Sequence, residues 1–240
     1  MHLVKLGRGL CEVSSRNDSR EMQTVMETRG FVVNTEENTT ALGYLCPALN
    51  QRRFAEEEAQ RKRELNVIAT AERRCASLLD RRPPTQPSLR ARATVWVGAA
   101  GMLNVLEDGW DDVYPTALTR AFANKVVGAT PGDLTILTAD TDKHVCVAVE
   151  AYDKRPPVEV GGWEKVVEVG YQSTDGDMVF TDEETEEEAL PDLAIHGAGR
   201  YRVRVHMRGA KAALADDGDA RQAFLVIVYP GASTRTLVLR

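Results

Sequence analysis

Residues 199–208 read GRYRVRVHMR, and residues 223–229 read AFLVIVY. In the first stretch Tyr201, Val203, Val205 and Met207 share one parity, while Arg200, Arg202, Arg204, His206 and Arg208 share the other. Successive side chains of a strand point to opposite faces, so this alternation predicts a strand with one apolar and one cationic face. A helix would scatter both sets around its circumference. The second stretch is apolar throughout, which predicts a central strand buried on both sides.

Working outward, strands are expected at 92–98, 102–106, 134–138, 144–151, 165–171, 201–207, 223–229 and 236–239, where β-branched and aromatic residues concentrate. Turn signals separate them at Thr130-Pro131-Gly132-Asp133, Thr174-Asp175-Gly176-Asp177, His196-Gly197-Ala198-Gly199 and Pro230-Gly231. Only Ala210–Ala215 reads as a short helix among them. Alternating β and α segments are absent, so residues 91–240 predict an antiparallel β-sandwich or barrel-like domain.

The N-terminal part has a different period. From about residue 51 to 81 there is no proline or glycine, and strong helix formers dominate. Glu57 precedes Arg61 by four positions and Glu58 precedes Lys62 by four, the favoured order for ion pairs on a helix surface. Leu65, Ile68, Cys75, Leu78 and Leu79 form an apolar stripe further along. Asp18, Glu21 and Gly30 bracket a second short helix at 19–29. Pro83, Pro84 and Pro87 cannot continue a helix. The predicted class is therefore α+β: a helical arm at 1–82, a proline-rich linker at 83–90, and the β domain at 91–240.

Charge supports the division. Residues 1–90 carry 15 Lys/Arg against 12 Asp/Glu, whereas residues 91–240 carry 15 against 24, within an overall −6. No stretch reaches the ~18 consecutive apolar residues of a membrane span. The opening MHLVKLGRGLCEV has a short apolar run interrupted by charge at Lys5 and Arg8, so it is not expected to form a signal-peptide core. Four well-separated cysteines (Cys11, Cys46, Cys75, Cys146) contain no CxxC pair, an arrangement expected of reduced thiols in the cytoplasm.

Catalytic templates are missing: GxSxG, HExxH, GxxxxGK[ST] and a helix-opening GxGxxG do not occur. Asp140, Asp142 and His144 make only a weak metal-ligand pattern that a polar loop explains equally well. No catalytic residue, metal or cofactor is expected. The binding candidates are Arg200, Arg202, Arg204 and Arg208, whose guanidinium forks match carboxylates and phosphates. Against this stands a face paired with acids on neighbouring strands. Six carboxylates in Asp182–Glu188, including Glu183, Glu184, Glu186 and Glu187, form a solvated loop or an acidic hook for a basic surface. Trp110 and Trp163 are aromatic anchors or core residues. Arg52, Arg53, Arg61, Lys62 and Arg63 make a second basic set that would suit phosphates, diluted by glutamates.

The pattern of Trp163, Val166 to Val169, Gly199, Tyr201 to Val205, Arg208-Gly209 and Tyr229-Pro230 resembles a group of uncharacterised actinobacterial proteins. The resemblance covers the last third to half of the chain and implies a β-sandwich-like domain without a known activity. More distantly, the architecture is similar to small bacterial nuclease inhibitors of the competence system, and no functional residue carries over from them. The expectation is a non-enzymatic cytoplasmic protein that recognises another protein through charged surfaces, in an inhibitor or immunity-type role. The alternatives are a nucleic-acid-binding regulator with a sensing or oligomerising β domain, and a self-assembling phage or compartment subunit.

Overall fold

The computed structural model describes residues 47–107, 114–139, 141–180, 189–215 and 220–240. The chain divides into two compact units, Met1–Asn66 and Val67–Arg240. The expected helix at 19–29, Trp110 and the acidic residues Glu183, Glu184, Glu186 and Glu187 lie outside the described residues.

The first helix, α1, runs Pro47–Leu78. Proline suits a first helical position because its missing N–H has no partner there in any case. Lys62 pairs with Glu58 at 3.0 Å as its spacing predicts. The apolar stripe divides along its length: Leu65 and Ile68 are exposed, whereas Ala71, Cys75 and Leu79 are buried.

The rest of the chain is β-rich, giving an α+β fold. The strands are β1 Leu89–Val97, β2 Met102–Leu106, β3 Val127–Thr130, β4 Asp133–Leu137, β5 Lys143–Ala151, β6 Lys165–Ser173, β7 Gly199–Arg208, β8 Ala223–Pro230 and β9 Leu237–Val238. Helices α2 (Tyr114–Asn124) and α3 (Ala210–Ala215) complete the described elements. Six strands form one sheet in the order β1-β5-β8-β7-β6-β9, and β2-β4-β3 form a second. As expected, β8 is central and buried on both faces over residues 223–229.

Three features depart from the sequence expectation. The large sheet is mixed rather than wholly antiparallel, because β5 pairs β8 in parallel. That pairing is open to strands separated by a long connection, here one that contains β6 and β7. Helix α2 was not expected, since its buried residues Ala117 and Ala121 are too small to announce an apolar period. It packs closely on β3: a Cβ added at Gly128 would lie 1.9 Å from the Ala117 carbonyl oxygen. Finally, Cys75 and Cys146 form a disulfide, which corrects the expectation of reduced thiols. Alternation on β5 turns Cys146 toward the face that the buried end of α1 covers, so tertiary packing joins two residues 71 positions apart.

Residues 83–90, the proline-rich linker, are tied to the β domain at their end. Ser88 N–H donates to the Ala151 carbonyl at 2.9 Å and its hydroxyl to Asp153 at 2.8 Å, and β1 begins at Leu89. The main apolar core lies on the face of the large sheet that carries Val147, Val167, Val203, Val205 and Val226, against Leu103, Val105, Leu134 and Ile136 of the small sheet. The opposite face holds a smaller cluster around Cys75, Cys146, Trp163, Leu225 and Tyr229.

Candidate functional site

The alternation of 199–208 places the arginines on the second face of the large sheet, but that face is largely covered. Arg204 is 0% and Arg202 is 4% exposed. In the β6–β7 register Glu168 lies directly opposite Arg204. Its carboxylate accepts from Arg204 Nε at 2.7 Å and from Arg202 Nη2 at 3.1 Å. Arg202 Nη1 also donates to the carbonyls of Ser233 and Arg235, and Arg204 Nη1 to that of Pro157. Two buried cations thus share one buried carboxylate and several carbonyls, an arrangement that satisfies their donors internally. Burial pushes the Glu168 carboxyl up. The Arg204 hydrogen bond, with help from Tyr229 and Arg202, outweighs that effect and holds the group below its ordinary value.

Arg208 is half-buried and stacks its guanidinium 4.8 Å from the centre of the Trp163 ring, which is itself buried. His206 lies fully buried between the carbonyls of Glu159 (3.0 Å from Nε2) and Leu225 (3.3 Å from Nδ1). A second buried carboxylate, Glu150, accepts from Arg81 at 2.6 Å and from the Tyr152 hydroxyl at 2.8 Å. These groups form a polar layer beneath the 152–164 segment and the end of α1. Their chemistry is structural, because Arg81, Arg202 and Arg204 are paired with Glu150 and Glu168, and Arg208 rests on the Trp163 ring.

Arg200 is the exception. It is exposed, and among the described residues its guanidinium meets no carboxylate. It opens into a cleft of about 170 Å³ whose walls come from four parts of the chain. Arg200 and Gln172 are opposite one another at the ends of β7 and β6. The β3–β4 turn is tied beside them by a bridge from Pro131 to Gln172 and by Gly132 N–H donating to the Gln172 carbonyl at 2.9 Å. From α2 comes Arg120, whose Nη1 donates to the Ala129 carbonyl. Residues 231–234 close the fourth side.

That last wall depends on two glycines. A Cβ at Gly170 would lie 2.4 Å from the Ser233 carbonyl oxygen, and one at Gly231 would lie 2.6 Å from Arg202 Cγ. The chain after β8 can therefore lie flat across β6 and β7 only because both side chains are absent. Thr130, Tyr171, Tyr201, Ser233 and Thr234 also line the cleft, the two tyrosine hydroxyls being engaged by Glu107 and the Gly197 carbonyl, and no lining residue is acidic. Two arginines facing no carboxylate form a local positive site on a chain of net charge −6.

Below the β3–β4 turn, Asp133 is buried with the hydroxyls of Thr130 and Thr135 beside it. Burial pushes its carboxyl up to about 6, partly offset by those hydroxyls. Glu107, at the end of β2, accepts from the Tyr171 hydroxyl and from the N–H groups of Thr174 and Asp175, so it fastens the turn after β6.

Of the residues expected to bind, the structure brings Arg202, Arg204 and Arg208 into internal contacts and leaves Arg200 at the cleft. Arg61, Lys62 and Arg63 are exposed on α1, where Lys62 pairs with Glu58 and Arg63 donates to Gln60 at 2.7 Å. Arg52 and Arg53 lie on the same helix, their side chains outside the described set. Sequence reasoning missed Arg120 because it missed α2, and no local signal marks that residue. Among the described residues no group of three or more His, Cys, Asp or Glu is close enough to hold a metal ion.

No family model and no curated protein matches the chain. Among solved structures it is similar to a protein described as Crocagin biosynthetic gene J, at 15% identity and a TM-score of 0.37. That likeness covers 60% of this chain and 99% of the other, and it is too distant to carry an assignment.

Proposed function

We propose that this is a non-enzymatic binding protein that recognises another protein through charged surfaces, with the cleft between Arg120 and Arg200 as its docking point. The observation that carries the reading is the pair of exposed arginines lining a cleft to which no acidic residue contributes. Every other arginine of the 199–208 strand is engaged internally, so selective exposure of Arg200 singles it out. An inhibitor or immunity-type role is consistent with such a docking surface. Nucleic-acid binding through Arg61, Lys62 and Arg63 is less well supported, because Lys62 and Arg63 are held by Glu58 and Gln60 of their own helix.

No described helix is long and apolar enough to cross a membrane. A cytoplasmic location belongs to the proposal, and the Cys75–Cys146 bond weighs against it because disulfides persist mainly outside the reducing cytosol. The test is affinity capture from native extract with the full chain and with Arg120→Glu/Arg200→Glu. A protein retained by the wild type at low salt, lost at roughly 0.5 M salt and lost with the double variant, supports the reading. Retention abolished by nuclease would transfer it to the nucleic-acid alternative. Capture unchanged by the double variant would remove the cleft from the interface.

A further inference from the structure

We propose that the cleft is a carboxylate subsite, which takes the acidic side chain of an Asp/Glu-rich segment of a protein partner. This rests on the protein-recognition reading and specifies its chemistry. Size is the first argument. About 170 Å³ is below the ~300–1,000 Å³ typical of sites that enclose drug-sized ligands. A space of that size suits a side-chain terminus.

Charge is the second. Two guanidiniums and no carboxylate line the space, and a forked guanidinium matches the two oxygens of a carboxylate. Pre-organisation is the third. Arg120 is clamped to the Ala129 carbonyl, and the opposite wall is held by close approach at Gly170 and Gly231. Little order remains to be imposed when a ligand enters. The neutral donors agree: Ser233 Oγ accepts from the Arg235 N–H at 3.3 Å, which leaves its O–H to donate. Phosphate is the weaker match, because α2 contributes only the Arg120 side chain and no first-turn amide lines the cleft.

The test titrates the ¹⁵N-labelled full chain with N-acetyl hexaglutamate, hexaglutamine and a phosphoserine peptide of equal length. Hexaglutamate is expected to shift the amides of Gln172, Ser233 and Thr234, and hexaglutamine to leave them unmoved. Arg200→Ala should weaken hexaglutamate binding by about tenfold or more, the scale of a lost charge-assisted bond. Arg200→Lys should recover part of the loss, and Arg92→Ala, a change at an exposed strand position away from the cleft, none of the effect. A dispersed spectrum for each variant establishes that it folds. The subsite is overturned if the cleft amides do not move, if Arg200→Ala binds as the wild type does, or if only the phosphoserine peptide binds. Silence toward hexaglutamate with salt-sensitive protein capture intact removes the subsite alone. Cleft binding without any captured protein keeps the subsite and removes the broader reading.

Discussion

Glu168 stands between two buried guanidiniums, 2.7 Å from Arg204 Nε and 3.1 Å from Arg202 Nη2. Glu168→Gln leaves both cations without a counter-charge and should cost about 3–5 kcal/mol by denaturant unfolding. Its folded-state pKa is depressed, so the stabilisation is present above the unfolded value near 4.5 and is lost as pH falls below it. His206 acts in the same direction at higher pH. Burial holds its imidazole near 4 instead of 6.5, with the Arg204 and Arg81 charges adding to the effect. The fold is therefore favoured above pH 6.5 and loses that contribution as pH falls toward 4, roughly 3 kcal/mol that His206→Gln should abolish. Asp133 has the opposite sign. Its folded value near 6 lies above the unfolded 3.8, so ionisation disfavours the fold progressively between them. Asp133→Asn should match the wild type in acid and exceed it by up to roughly 3 kcal/mol at neutral pH, read from denaturant midpoints.

At the scale of elements, two attachments decide where helices sit. The disulfide fastens the end of α1 to β5 and closes a loop of 71 positions, a constraint on the unfolded chain of about 4 kcal/mol. Reduction, or Cys75→Ala/Cys146→Ala, should lower the urea midpoint accordingly, while the β-sheet circular-dichroism signal persists below the new transition. Helix α2 depends instead on an absence. Gly128→Ala drives a methyl group into the Ala117 carbonyl and should cost about 2–3 kcal/mol. Because α2 carries Arg120, that variant should also weaken hexaglutamate binding although Gly128 does not line the cleft. The alternation in 199–208 made β7 and its faces legible, and the apolar run in 223–229 did the same for β8. Strand direction was not legible, since the apolar run of β8 marks burial on both faces and not which way its neighbour runs.

For the whole molecule, every core side chain among the described residues belongs to positions 71–239. Residues 67–240 expressed alone should unfold in one cooperative transition with the disulfide intact, as followed by tryptophan fluorescence and far-ultraviolet circular dichroism. Separate transitions for the two probes would show that the unit needs the preceding residues.

By itself the sequence determined the kinds of element and their faces: a long helix, then strands with Val203 and Val205 on one side and Arg202 and Arg204 on the other. These follow from local periodicity, which each segment carries within itself. Which cations meet acids, which cysteines meet each other, and which arginine stays in water were decided only by the tertiary structure. Glu168 and Arg204 are neighbours through register, Cys75 and Cys146 through docking of α1, and Arg120 and Arg200 through the convergence of four segments. Such meetings depend on distances between remote parts of the chain, and no local pattern encodes them.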